Sequence, residues 1–269
     1  MIHWGRAAFV VVATASLLAL APAARAMGGQ DCAPEDLVPV NAWIAEHPWR
    51  VGPVNPNGLV ASACKQSSGD KRLAIVVAAY DLAIDNRKSV IVALVDFDAG
   101  VVRAAYKGVL AEDQWLRVSQ GSLRIDTAPY DLAPGIRAFG LDVTSSTEPS
   151  CDDIGLGTRR MLFVHEGDAL RPVLGFLGVS VWMFPQGNPA CQASNAGSTR
   201  ETIVSTISIA PHATHGLADL VVTESVEGRI PGRKLRGERY ELHYDGAVYH
   251  REGKLIPQPV IAPEGPARR

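Results

Sequence analysis

From residue 73 to residue 250 the chain is a succession of short runs rich in β-branched residues, each bounded by Gly, Pro, Asn or Asp. Almost no stretch carries the 3.6-residue repeat of an amphipathic helix. LAIVVAAY (73–80) and SVIVALVDF (89–97) are continuous apolar runs of the kind buried on both faces of a sheet. Asp98-Ala99-Gly100 then turns the chain into VVRAAYKG, with glycine where a hairpin needs positive φ. In SLRIDT, Leu123 and Ile125 alternate with polar residues, and in IRAFGLDVT, Phe139, Leu141 and Val143 share one side, so both read as half-buried strands. RMLFVHEG, LRPVLGFLGVSVWMF, ETIVSTISIA, LADLVVTESV and YELHYDGAVYH continue the pattern. It predicts an all-β domain over 71–256, built of antiparallel strands and hairpins, propeller-like or a β-sandwich. Residues 27–70 read as a helix and loop segment, with one short helix over 41–47 capped by Asn41 and a loop over 51–70. Residues 257–269 read as a flexible tail.

The N-terminus reads as a targeting segment. MIHWGR carries one cation at Arg6, AAFVVVATASLLALA follows over 7–21, and Ala24-Arg25-Ala26 offers small residues for cleavage after Ala26. That is a secretory signal peptide over 1–26, its apolar run too short to span a bilayer. The first cysteine, Cys32, comes too late for a lipid anchor, and no later run suits a membrane span. The expectation is a soluble periplasmic or secreted protein.

Four cysteines in the mature part, Cys32, Cys64, Cys151 and Cys191, make two disulfides the expectation in an oxidising compartment. Three connectivities are open. Cys32 with Cys64 and Cys151 with Cys191 is favoured, because each pair brackets a polar segment rich in Gly, Pro and Ser. No CxxC spacing suggests a metal-thiolate site. Charge excludes another class of partner: 26 basic against 28 acidic residues, with Arg6 and Arg25 lost on cleavage, leaves a mildly acidic protein and no general nucleic-acid footprint. The one basic cluster, RIPGRKLRGER over 229–239, reads as a solvated loop.

Recognisable catalytic motifs are missing. His165-Glu166 is not followed by the second histidine of HExxH, Ser180 in GVSVW lacks the final glycine of GxSxG, and there is no P-loop or GxGxxG. Glu112-Asp113 and Asp152-Asp153 read as polar turns, and Trp115 and Trp182 as core residues. The loop carrying Asp81, Asp85 and Asn86 is a candidate set of oxygen ligands for calcium.

Histidines raise two further possibilities. In PHATHG, Pro211 ends one strand and Gly216 permits re-entry to the next, so His212 and His215 read as residues of a connecting loop rather than metal ligands. In YELHYDGAVYH, a two-residue turn at Asp245-Gly246 would set Tyr244 against Ala247, His243 against Val248 and Glu241 against His250. Tyr240, Leu242, Tyr244 and Tyr249 would then face the core, with Glu241, His243 and His250 on the other face as candidate zinc ligands or as a plain solvent face.

GLADLVV (216–222) resembles the ADLVV strand end of FG-GAP (VCBS-type) propeller repeats. That resemblance implies a binding scaffold rather than an enzyme. The acidic calcium loop that precedes the strand in that family is replaced here by Pro211-His212-Ala213-Thr214-His215, so the resemblance carries no calcium site to this position. A weak internal echo, Tyr80-Asp81-Leu82-Ala83 and Tyr130-Asp131-Leu132-Ala133, has an offset of 50 residues, which suits a propeller blade.

Together these features predict an exported, disulfide-stabilised β-protein that acts as a binding module in the cell envelope, for instance an inhibitor or immunity-type protein. Its expected partner is another envelope or extracellular protein, with no cofactor required. The alternatives are a carboxylate- or metal-dependent hydrolase acting on glycans or cell wall, and a structural envelope component.

Overall fold

The computed structural model describes residues 30–49, 54, 57–82, 86–147, 152–184, 200–228, 237–254 and 258–263. The expected signal peptide, Cys151, Cys191 and Asp85 lie outside them.

The molecule is mostly β-sheet, with a single short helical segment among the described residues. A 3-10 turn over Pro34–Leu37 runs directly into α1 (Val38–Glu46). The strands then follow as three meanders. The first comprises β1 (Leu59–Gln66), β2 (Leu73–Asp81), β3 (Arg87–Asp96) and β4 (Val101–Ala111). The second comprises β5 (Leu123–Ala133), β6 (Ile136–Thr144), β7 (Ile154–Glu166) and β8 (Ala169–Met183). In the third are β9 (Glu201–Thr214), β10 (Leu217–Glu227), β11 (Arg239–Tyr244) and β12 (Tyr249–His250); β13 (Ala262–Pro263) comes last.

Within each meander sequence neighbours pair antiparallel. The first meander joins the second through one parallel contact, Ala105 with Ala169. The second joins the third where Ser180–Met183 of β8 runs antiparallel to Glu201–Val204 of β9. β13 adds to β4 through Ala262 and Val109. The sheet does not close on itself.

Three hydrophobic clusters explain the long apolar runs. Ile75, Val77, Val90, Val92 and Tyr106 of the first meander pack against Ile125, Leu141, Met161 and Phe163 of the second. The alternate residues Val76, Ala78, Tyr80, Ile91 and Ala93 face the other way, onto Leu37, Val40 and Trp49 at the N-terminus. β2 and β3 are therefore covered on both sides, as their unbroken runs require. β7 is likewise two-sided, with Met161 and Phe163 in the first cluster and Leu162 and Val164 packed with Leu220, Leu242, Tyr244 and Tyr249 of the third meander. Each fully buried side chain of this size contributes about 1.5–3 kcal/mol.

Several expectations are corrected. The helix begins before 41 with no side-chain cap, and Asn41 instead accepts a hydrogen bond from the buried Tyr80 hydroxyl at 2.7 Å. Residues 59–66, expected within a loop, form β1: Ala61 and Ala63 are small enough to sit fully buried in the first cluster, a pattern that weak β-propensity conceals. Of the residues expected as a flexible tail, 258–263 are described and are held, since Val260 and Ile261 are core residues and the Tyr106 hydroxyl donates to the Ile261 carbonyl at 2.8 Å. Cys32 and Cys64 form the expected disulfide, which ties the N-terminal segment to β1.

Candidate functional site

β9, β10 and β11 lie side by side, with Val221 paired to Ser208 on one flank and to Glu241 on the other. Leu220, Val222 and Leu242 enter the core, so the intervening residues face away from it. On that outer face His212, Asp219, Glu241 and His243 converge.

A β-bulge brings them together. β9 continues through PHAT to Thr214, and only His215 and Gly216, both at positive φ (50° and 88°), form the turn. This corrects the expectation that His212 lies in a loop. The ladder pairs Ala218 with Ala213 and Leu220 with Ile209, so Ala210, Pro211 and His212 together oppose the single residue Asp219. Pro211, which has no N–H to give a ladder, is accommodated at this irregularity rather than ending the strand. The displaced backbone directs His212 over the strand seam.

Asp219 is fully buried. Its Oδ2 accepts from His243 Nδ1 at 2.8 Å and from the Thr214 hydroxyl at 2.8 Å, with His212 Nε2 at 3.4 Å. Burial pushes the carboxyl up, but the hydrogen bonds from His243 and Thr214 outweigh it and hold Asp219 below the ordinary carboxylate range. His212 Nε2 also donates to Glu241 Oε2 at 3.1 Å. His215 Nδ1 donates to the Tyr244 carbonyl at 2.9 Å, which fastens the turn to β11.

Chemically this is a buried carboxylate that fixes one tautomer of an imidazole about one-third exposed. With its Nδ1 proton on Asp219, a neutral His243 presents Nε2 as a base or ligand. Among the described residues no group of three or more His, Cys, Asp or Glu side chains is arranged to hold a metal ion.

The candidate zinc set divides. The C-terminal hairpin pairs Tyr244 with Tyr249 and His243 with His250, closing through a four-residue loop rather than the expected two-residue turn. Asp245 explains this, because its Oδ1 accepts from both Ala247 N and Val248 N at 2.8 Å. The slip is two residues, so every side chain keeps its expected face. Glu241 is nevertheless bonded to His212, His243 to Asp219, and His250 lies 3.7 Å from Asp245.

Of the candidate calcium residues, Asp81 meets Lys88 Nζ at 2.6 Å and Asn86 Oδ1 accepts from Arg117 at 2.7 Å. Glu112 joins the same cluster, 3.0 Å from Lys88. His165 bonds the Gly167 carbonyl at its own turn, and Trp182 is buried under the Arg200 guanidinium.

Two features were not anticipated. Arg160 forms a buried fork with Asp142, Nε to Oδ1 at 2.6 Å and Nη2 to Oδ2 at 2.8 Å, and it also binds the Tyr130 hydroxyl at 2.8 Å and Asp126 at 2.7 Å. Burial pulls its guanidinium down, yet the bonds to Asp142 hold it above its ordinary value. The second is an apolar row in register across four strands: Leu156, Val181, Ile203 and Val226 stand directly opposite one another on β7, β8, β9 and β10. All four are half-buried and belong to none of the three core clusters, and Ile154 beside them is 51% exposed. Their spacing was readable as strand alternation; their common row depends on long-range register.

No family model, curated protein or solved structure matches the chain.

Proposed function

We propose that this chain is an exported, soluble, disulfide-stabilised β-protein that acts as a binding module in the cell envelope, its partner another envelope or extracellular protein. The apolar row Leu156–Val181–Ile203–Val226 carries this reading. A partly exposed stripe of aliphatic side chains on a four-stranded surface, outside the core clusters, suits a protein partner better than water. The Cys32–Cys64 disulfide supports an oxidising compartment. A binding scaffold is also what the likeness of Gly216–Val222 to FG-GAP repeats implies. We read the architecture as a layered sandwich rather than a propeller, since the echoed Tyr80 and Tyr130 fall on the second strand of one meander and the first of the next. In the inhibitor or immunity-type version, the mature oxidised protein inhibits at least one hydrolase from a panel of peptidoglycan hydrolases. If it inhibits none and retains nothing from a periplasmic extract, that version fails.

The contact between Asp219 and His243 favours a second reading, a hydrolase of glycans or cell wall with His243 as general base. Release of soluble fragments from purified peptidoglycan, abolished by His243→Gln, would support it. Equal release by the wild type and the variant would remove it.

A further inference from the structure

A cleft of about 250 Å³ opens between the ends of the first and second meanders. Its floor is the margin of the first core cluster, where Ile75, Leu94 and Phe139 line it with the neighbouring Leu73. Its rim is polar: Ser67 and Ser68 come from the turn between β1 and β2, Arg137 from the start of β6, and His165 from the end of β7. An apolar floor with a few polar groups around the mouth is the usual composition of a small-molecule site.

The charges at the rim are unequally engaged. Asp70, also lining the cleft, is held by Arg72 through Nε at 3.2 Å and Nη2 at 2.8 Å, and these bonds bring its carboxyl down to about 2. His165 spends Nε2 on the Gly167 carbonyl. Arg137 is different. Its Nε is enclosed and makes no hydrogen bond, and its ion-pair partner, the exposed Asp131 directly across the β5–β6 ladder, stands 3.5 Å away. A guanidinium carries five donors in a planar fork that fits a carboxylate, sulfonate or phosphate.

We infer that this cleft binds a small amphipathic anion, an apolar ring or short chain with one anionic head group. The head group bonds Arg137 and the apolar body lies against Leu73, Leu94 and Phe139. The site is separate from the apolar row and from the His243 cluster, and it stands or falls independently of the proposed partner.

The probe is 1-anilinonaphthalene-8-sulfonate, titrated by fluorescence into the mature oxidised protein. The expected result is saturable one-to-one binding, weakened at least tenfold in Arg137→Gln, weakened less in Arg137→Lys, and unchanged in Val181→Asp, which alters the apolar row instead. A competition needs no variant: phenylacetate should displace the probe and the neutral phenylacetamide should not. Absence of saturable binding, equal binding by Arg137→Gln of native circular dichroism, or equal displacement by the acid and the amide would overturn the proposal. So would loss of binding in Val181→Asp alone.

Discussion

Asp219 Oδ2 and His243 Nδ1, on adjacent strands, lie 2.8 Å apart, and the carboxylate is wholly enclosed while the imidazole is about one-third exposed. The aspartate therefore determines which imidazole nitrogen faces solvent. Asp219→Asn keeps the shape but removes the charge and turns one of the two acceptor oxygens into an N–H donor, so the side chain no longer enforces one tautomer. It is expected to cost about 1–3 kcal/mol in urea unfolding, and the histidine nitrogen resonances of His243 should move from a single tautomer to a mixture.

The same carboxylate gives a pH dependence whose sign is set. Folded Asp219 titrates below its unfolded value, about 3.9 for a model aspartate. Its contribution to stability is then fully present above that value and is lost as the pH falls through the lower folded pKa. Urea midpoints measured from pH 7 to pH 3 should fall for the wild type and fall less for Asp219→Asn, the difference between the curves isolating this group from other paired carboxylates.

Arg160 and Asp142 are buried together, 7% and 1% exposed, so removing Asp142 takes both bonds of the fork from a buried guanidinium and leaves it only Asp126 and Tyr130. Asp142→Ala is expected to cost about 3–5 kcal/mol. The double substitution Asp142→Leu with Arg160→Met should cost less than the single one, because the two most deeply buried charges leave together and only Asp126, still bonded by the Tyr130 hydroxyl, loses its cation. Chemical denaturation of the three proteins tests this, and an equal or larger loss in the double variant would contradict it.

Most of the fold was legible because burial on both faces leaves its mark directly on the sequence: LAIVVAAY and SVIVALVDF could only be strands enclosed from both sides. β1 was less legible, since LVASACKQ fills its core positions with alanine, serine and cysteine. IRAFGLDVT showed its apolar face correctly, but its other face is also buried, by Asp142 under Arg160, and a polar residue that is hidden because it is paired looks like a solvent-facing one. The candidate site was legible in part. Glu241 and His243 were identified from alternation, whereas His212 and Asp219 reach them through a bulge at Pro211, and a bulge moves side chains in a way that strict alternation does not express.

Gly108 makes the attachment of the C-terminal segment dependent on one missing side chain. A Cβ there would come within 2.5 Å of the Ala262 carbonyl oxygen and of Ile261 Cγ2. Gly108→Ala should therefore lift β13 and Ile261 from β4, at a cost of about 1–3 kcal/mol. Amide exchange at Val260 and Ile261 should rise while that of β2 and β3 stays slow.

Closing the Cys32–Cys64 bridge restrains a 32-residue separation in the unfolded chain, an effect of about 3–4 kcal/mol. The double variant Cys32→Ser with Cys64→Ser should lose that much stability relative to oxidised wild type. Non-reducing peptide mapping should find the two cysteines linked in protein recovered from an exporting host.

The apolar row on β7–β10 is the surface proposed to bind a protein partner. Its most direct test compares oxidised wild type with Val181→Asp and Ile203→Asp as bait in one envelope extract, followed by titration of the retained protein in purified form. The expected result is a partner that binds the wild type saturably and loses at least tenfold in affinity for either variant, both of which keep native circular dichroism. A partner that binds all three alike, or no partner at all, would contradict it.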